Sequence, residues 1–175
     1  MSVLEIKQKM PSNPYTEILA ALATADVDFI LGGGLACVLH GAERVTMDAD
    51  VSVLMSPGNF GRFLNVMHRL GLQPRVPVDP KSLLDARVIR MLVEEKQALV
   101  FSFLDPNRPI RQVDLFLRTD LSFEILLPAA EWVDLDGFRI RILSKAKLLD
   151  LKLAIQPPRS KDAVDIEFLR RHVHQ

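Results

Sequence analysis

Cysteine is almost absent from this chain, which contains Cys37 and no second thiol. A single cysteine excludes an internal disulfide and a zinc site built from several cysteines, and it is typical of a reducing compartment, so we expect a cytoplasmic protein. No uninterrupted apolar run reaches the ~18 residues that a membrane-spanning helix needs, and the first residues lack the basic-then-apolar layout of a signal peptide. We therefore expect no membrane partner.

Net charge is also lacking, since 22 Lys and Arg residues balance 22 Asp and Glu residues. Nothing global therefore attracts the chain to nucleic acid, and any polyanion contact must be local. Aromatic residues make up only 6% of the sequence, which argues against a surface that stacks nucleic-acid bases. The remaining composition, 175 residues with 49% hydrophobic and 25% charged residues, is typical of one globular domain with a single core.

The charges are unevenly distributed along the chain. Residues 15–60 hold six acidic residues against Arg44 alone, whereas residues 139–171 hold nine basic residues against four acidic ones. An acidic patch opposite a basic one would suit a metal-bound polyphosphate. Solvated helix faces would produce the same counts, so the pattern leaves both interpretations open.

Periodicity and turn residues predict the secondary structure. Helices are expected at residues 14–25, 56–71, 79–95, 144–155 and 160–172, and strands at 27–31, 49–54, 98–104, 112–117, 132–135 and 138–142. A short turn sequence separates strands 98–104 and 112–117, and another separates strands 132–135 and 138–142. Each of these two pairs is therefore expected to form a hairpin. Helices mixed with paired strands indicate an α+β (or α/β) fold in which helices cover one mixed β-sheet.

Glycines are concentrated where the first predicted strand ends. Gly32, Gly33, Gly34 and Gly41 are four of the eight glycines in the sequence. Glycines between a strand and a helix let backbone N–H groups approach a phosphate closely. The same residues would also make an ordinary tight turn, so this feature alone does not decide between the two.

Three aspartates follow strand patterns. Asp48 and Asp50 are two residues apart, so their carboxylates project from one face of a strand, and Asp114 interrupts an otherwise apolar strand. Carboxylates so placed repel each other unless a cation lies between them, and oxygen ligands favour Mg²⁺ or Mn²⁺. The alternative is an edge strand with ordinary solvent-facing acids.

The spacing of these residues resembles a known motif. The segments Gly33-Gly34-Leu-Ala36, His40-Gly41 and Arg44-Val-Thr46-Met-Asp48-Ala-Asp50 resemble the motif of minimal nucleotidyltransferases in the polymerase-β superfamily. The similarity is greatest to small bacterial proteins related to AbiEii-type toxins, and it continues into residues 149–166. The resemblance implies a nucleotidyltransferase fold over residues 1–175, with a catalytic core at about 13–118 and a C-terminal hairpin and helices at about 119–175.

The resemblance also implies roles for individual residues. Asp48, Asp50 and Asp114 match the metal-binding triad, with Asp114 as the activator of the acceptor hydroxyl. Gly33 and Gly34 match the turn that holds the β- and γ-phosphates. Many members have Ser at the second position, which adds a hydroxyl contact, so Gly34 implies that phosphate binding rests on backbone donors alone.

Three further residues are candidates for phosphate contacts. Arg44 and Thr46 precede the aspartates and could contact phosphates. For Arg44, the alternative is a structural ion pair with Glu43 or Asp48. Lys152 either reaches the active edge of the sheet and contacts phosphates or extends its charge into water along an apolar helix.

The expected activity is transfer of a nucleoside monophosphate from an NTP to an acceptor hydroxyl, with Mg²⁺ or Mn²⁺ as cofactor and a two-metal mechanism. The alternative is a nucleotide-binding or regulatory module of the same fold without turnover, as one half of a toxin–antitoxin pair with a partner protein. A metal-free interaction protein is disfavoured because three carboxylates without a cation destabilise a fold. The acceptor stays open between tRNA, protein and a small molecule.

Overall fold

A computed structural model describes residues 14–46 and 48–175 of the chain. Across these residues, seven strands form one mixed sheet in the order β3-β4-β5-β2-β1-β7-β6. The strands are β1 (Phe29–Gly32), β2 (Ala49–Val53), β3 (Gln73–Pro74), β4 (Val100–Asp105), β5 (Arg108–Phe116), β6 (Ala130–Leu135) and β7 (Phe138–Leu143). The helices are α1 (Pro14–Thr24), α2 (Gly33–Leu39), α3 (Pro57–Arg69), α4 (Ala86–Glu94), α5 (Phe123–Leu126), α6 (Lys145–Leu153) and α7 (Ser160–His172).

The centre of the sheet brings distant parts of the chain together. β2 runs antiparallel to β1 and parallel to β5, and β1 is also parallel to β7. The β4–β5 and β6–β7 pairs are the two hairpins that the turn sequences predict. The α+β fold class and the mixed sheet covered by helices are therefore confirmed.

The core lies between the sheet and the apolar faces of its helices. α3 begins at Pro57, whose missing N–H suits the first helical turn, and it buries Phe60 and Phe63 completely. The Phe63 ring meets Phe103 of β4 edge to face, with centroids 5.6 Å apart. Cys37 is fully buried in α2, as its apolar neighbours predict.

The predicted helix at 79–95 is divided in two. A 3₁₀ turn covers Pro80–Leu84 and α4 begins at Ala86, because Asp85 between them adopts an extended conformation. Its carboxylate accepts a hydrogen bond from the backbone N–H of Arg87 at 2.9 Å. A side chain that caps a new helix ends the preceding one, and apolar spacing alone does not reveal this.

No helix within the described ranges has the length and apolar character required to cross a membrane.

Candidate active site

Strand register places the three predicted aspartates side by side. Asp50 of β2 lies directly opposite Asp114 of β5, and Asp48 precedes β2 by one residue. Each offers a carboxylate oxygen, and the three oxygens lie within 4.8 Å of one another. The alternation of β2 points Ala49 and Val51 into the core, so the acidic side chains share the opposite face.

The electrostatics of this cluster favour a cation. Burial, followed by repulsion from Asp48 and Asp114, raises the pKa of Asp50 to about 7. Burial also raises the pKa of Asp114 above its ordinary value. Each carboxylate therefore carries an unfavourable charge that a divalent cation would offset, and hard oxygen donors are the ligands that Mg²⁺ and Mn²⁺ prefer. The residues present fit such an ion.

Two neutral side chains orient Asp114, and neither is among the site residues that the sequence predicts. The Ser102 hydroxyl donates to Asp114 Oδ1 at 2.6 Å, and the Gln112 amide donates to the same oxygen at 2.8 Å. These hydrogen bonds oppose the effect of burial on the pKa of Asp114. Pairing the predicted hairpin residue by residue would have found Ser102, because it lies directly opposite Asp114.

The glycine turn lies against this cluster. Gly33 has φ +60°, a left-handed conformation that favours glycine, and a Cβ at that position would lie 1.9 Å from Asp50 Oδ2. The close approach follows from register, since the preceding residue, Gly32, pairs with Asp50 across β1 and β2. A glycine at position 33 is required both by the backbone conformation and by the carboxylate beside it.

Arg44 forms an ion pair, but with neither of the expected partners. Its Nε lies 3.0 Å from Asp165 Oδ1, and the Asp165 side chain is completely buried. The expectation of a pair with Glu43 or Asp48 is therefore wrong. The reason is that α7 folds back beside the loop before β2 and presents a carboxylate there, which local sequence does not show.

Lys152 is buried rather than extended into water, so that interpretation is corrected. Its ammonium lies 2.8 Å from Asp162 and 2.9 Å from Asp165. Burial alone would lower the pKa of Lys152, but its interactions with Asp162 and Asp165 raise it above its ordinary value. Asp162 also accepts from Arg159 at 2.7 Å, and despite its burial these two cations hold its pKa well below the usual range.

The other predicted phosphate contact, Thr46, lies beside Asp48. Its hydroxyl is 3.3 Å from Asp48 Oδ1 and 3.4 Å from the Asp48 carbonyl oxygen, both long for hydrogen bonds of a hydroxyl. Thr46 also lies close to the glycine turn, since a Cβ on Gly34 would be 3.1 Å from its Oγ1. Thr46 and Arg44 therefore both lie beside Gly34 in the glycine turn.

An open cleft of about 570 Å³ connects these groups. Acids and cations line it together with an apolar wall. The predicted residues that line it are Gly33, Gly34, Arg44, Asp48, Asp50, Asp114 and Lys152, and the additional cations are Arg118, Arg159 and Lys161. The apolar wall includes Phe116, Leu148 and Leu151. The cleft is thus lined by acidic and basic side chains from the two oppositely charged regions of the sequence.

Comparison with known proteins identifies the fold. The lincosamide antibiotic adenylyltransferase LnuA, in a lincomycin-bound structure, shares 13% identity over 94% of this chain and 99% of its own, with a TM-score of 0.61. The antibiotic-resistance factor ANT(2'')-Ia shares 16% identity over 90% of this chain and 81% of its own, with a TM-score of 0.59. An antigenic nucleotidyltransferase-like protein from Paracoccidioides brasiliensis shares 15% identity over 89% and 74%, with a TM-score of 0.51.

No protein-family model matches the chain, and no curated protein matches its sequence. The likeness to solved structures is therefore one of three-dimensional arrangement. It shows that the chain has the nucleotidyltransferase fold, as the motif resemblance implies.

Proposed function

We propose that this protein is a metal-dependent nucleotidyltransferase, which transfers a nucleoside monophosphate from an NTP to an acceptor hydroxyl. The observation that carries the proposal is the acidic cluster of Asp48, Asp50 and Asp114, which lines a cleft in the nucleotidyltransferase fold. The same cleft is also lined by Arg44, Lys152 and Lys161, which suits a polyphosphate.

The three carboxylates would hold Mg²⁺ or Mn²⁺. When bound, the metal supplies charge neutralisation at the phosphoryl group and lowers the pKa of a coordinated hydroxyl. The chain's own contribution is to fix the carboxylates in place. Asp48 and Asp50 are held by their positions at and beside β2, and Asp114 is held by Ser102 and Gln112.

In the proposed reaction, the acceptor oxygen forms a bond to the α-phosphorus, and the bond from that phosphorus to the α,β-bridging oxygen breaks. The acceptor proton passes to Asp114, and pyrophosphate leaves with the electron pair of the broken bond. Asp114 suits the role because its carboxylate lies in the cleft and is oriented by hydrogen bonds from Ser102 and Gln112. Gly33 and Gly34, having no side chains, allow Asp50 and Arg44 to approach the turn closely, and the cations that line the cleft orient the phosphates.

The acceptor is proposed only as a hydroxyl of tRNA, protein or a small molecule. One structural neighbour is an adenylyltransferase of lincosamide antibiotics, which makes small-molecule hydroxyls part of the search. The apolar wall of the cleft, with Phe116, Leu148 and Leu151, is compatible with an acceptor or a nucleobase that carries apolar surface.

Incubation with each α-labelled NTP, Mg²⁺ and cell extract tests the proposal, with label transfer and pyrophosphate release measured together. We expect one class of molecule to be labelled, and we expect Asp48→Asn and Asp50→Asn to abolish labelling. Asp136→Asn, which changes an exposed carboxylate in the β6–β7 turn, is the matched control and should retain activity. Tight NTP binding without product from any extract would support the non-catalytic module instead, and retained labelling in both triad variants would contradict the proposed site.

A further inference from the structure

The space beside Gly34 is filled by the side chain of another residue. A Cβ on Gly34 would lie 1.7 Å from Nη2 of Arg44 and 2.8 Å from its Cζ. Unlike Gly33, Gly34 has no left-handed backbone that would require glycine. The guanidinium of Arg44 therefore occupies the position that a side chain at residue 34 would take, in the turn next to the acidic cluster.

Arg44 is held there from behind by a buried carboxylate. Asp165 has no exposed side-chain surface, and its Oδ1 lies 3.0 Å from Nε of Arg44. Nε is the inner nitrogen of the guanidinium, so this contact leaves the terminal nitrogens free to point elsewhere. The Arg44 side chain itself is 12% exposed, and it lines the cleft with Gly34. Arg44 thus contacts Asp165 of α7 through Nε, and its Nη2 lies beside Gly34 in the turn.

The ionic group of Arg44, Lys152, Arg159, Asp162 and Asp165 contains more cations than carboxylates. Asp165 also pairs with Lys152 at 2.9 Å, and Asp162 is shared between Lys152 and Arg159. Two carboxylates therefore face three cations, Arg44, Lys152 and Arg159, and all three cations line the cleft. Arg44 and Lys152 are nearly buried and Arg159 is half exposed, and one cation of the three has no carboxylate of its own in this group, so an anionic ligand can pair with it when a metal ion offsets the neighbouring acidic cluster.

We infer that Arg44 is the side-chain phosphate ligand of the glycine turn, that the absence of a side chain at Gly34 is what admits it, and that Asp165 positions it. This inference rests on the proposed function, because it names the group that binds the polyphosphate. It replaces the expectation that phosphate is bound by backbone donors alone: the guanidinium takes the place of the hydroxyl that a serine would provide.

Arg44→Lys is the decisive variant. Lysine keeps the positive charge beside Asp165. Its single ammonium, however, cannot contact the Asp165 carboxylate and lie beside Gly34 at the same time, as the separate nitrogens of the guanidinium do. We expect the thermal unfolding temperature to change little and the affinity for a non-hydrolysable NTP with Mg²⁺, measured by calorimetry, to fall about tenfold or more, as the loss of a charge-assisted hydrogen bond implies. Affinity for the corresponding NMP should be unchanged.

Gly34→Ala gives an independent test. The added methyl group displaces the guanidinium, so NTP affinity should fall as it does in Arg44→Lys, and the double variant should bind no more weakly than either single variant. Gly61→Ala is the matched control, since among the described residues no atom outside its own stretch of α3 lies within 4 Å of an added Cβ, and its NTP affinity should equal that of the wild type.

Additive losses in the double variant, or unchanged NTP affinity in Arg44→Lys, would overturn the inference and leave Arg44 as a structural partner of α7. If wild-type protein binds no NTP, the proposed function fails together with this inference. If wild-type protein binds and transfers while Arg44→Lys does so equally well, only the inference fails. Asp165→Asn adds a positioning test, because it should weaken NTP binding and leave NMP binding intact.

Discussion

Replacement of Asp50 by Asn should stabilise the metal-free protein at alkaline pH. Burial and the neighbouring Asp48 and Asp114 raise the pKa of Asp50 from 3.8 to about 7. Asn has nearly the same shape and carries no charge, so it removes the repulsion without leaving a cavity. The variant therefore isolates the electrostatic cost of the acidic cluster from its packing.

The sign and size of the effect follow from linkage. Well below pH 3.8, both the folded and the unfolded chain hold the Asp50 proton, and its ionisation costs nothing. As pH rises towards 7, the unfolded chain ionises first, so the contribution of Asp50 to folding stability is progressively lost. The difference between 3.8 and about 7 corresponds to about 4 kcal/mol at ~1.36 kcal/mol per pH unit. Because Asp50 is only partly buried, we expect a gain of about 2 to 4 kcal/mol for Asp50→Asn at pH 8.

Urea unfolding with a chelator present measures the gain at pH 4 and pH 8, and Asp136→Asn serves as the exposed control. We expect the gain in the free energy of unfolding to be small at pH 4 and several times larger at pH 8, and to occur only for Asp50→Asn. Addition of Mg²⁺ at pH 8 should then stabilise the wild type and the control through binding to the folded state, and should do little for Asp50→Asn. An equal gain at both pH values, or a larger response of Asp50→Asn to Mg²⁺, would refute the reasoning.

Other residues of the site give further expectations. Ser102→Ala removes the 2.6 Å hydrogen bond to Asp114 and should lower the rate of label transfer about tenfold, while Ser102→Thr keeps the hydroxyl and most of the rate. Gly33→Ala should destabilise the fold by about 2 kcal/mol or more in urea unfolding, because it strains the backbone and meets Asp50, whereas Gly61→Ala should not. Lys152→Met leaves Asp162 and Asp165 buried with fewer partners and should cost about 3 to 5 kcal/mol of unfolding free energy, and a cost below about 1 kcal/mol would show that the network is not desolvated.

The triad could be predicted because its information is local. Two-residue alternation fixes the shared face of Asp48 and Asp50, and an acid within an apolar strand marks Asp114. Each of these patterns depends on a few consecutive residues and on the invariant pleat of a strand. The turn at Gly33 is predictable for a similar reason, because glycines at the end of a strand indicate a conformation that other residues avoid.

The partners of Arg44 and Lys152 could not be predicted, because they depend on where α7 lies. Asp162 and Asp165 are three residues apart on one side of α7, which is also the spacing of an exposed helix face that pairs with its own cations. Only the tertiary arrangement shows that both side chains have no exposed surface. Helix α7 therefore completes a cluster that includes Lys152 of α6 and Arg44, which lies more than a hundred residues earlier.

The burial of Asp162 and Asp165 also shows why the zero net charge of the sequence does not describe the charge at the cleft. Asp162 and Asp165 are half of the four acids in residues 139–171, and both face cations inside the fold. Neighbouring cations neutralise the charge of Asp162 and Asp165 within the fold, whereas Arg159 and Lys161 retain exposed surface at the cleft. A chain with no net charge thus brings several cations and its acidic cluster to one cleft. Because formal counts weigh buried and exposed charges equally, composition excludes a global attraction to polyanions but says nothing about a polyphosphate held in a cleft that charges of both signs line.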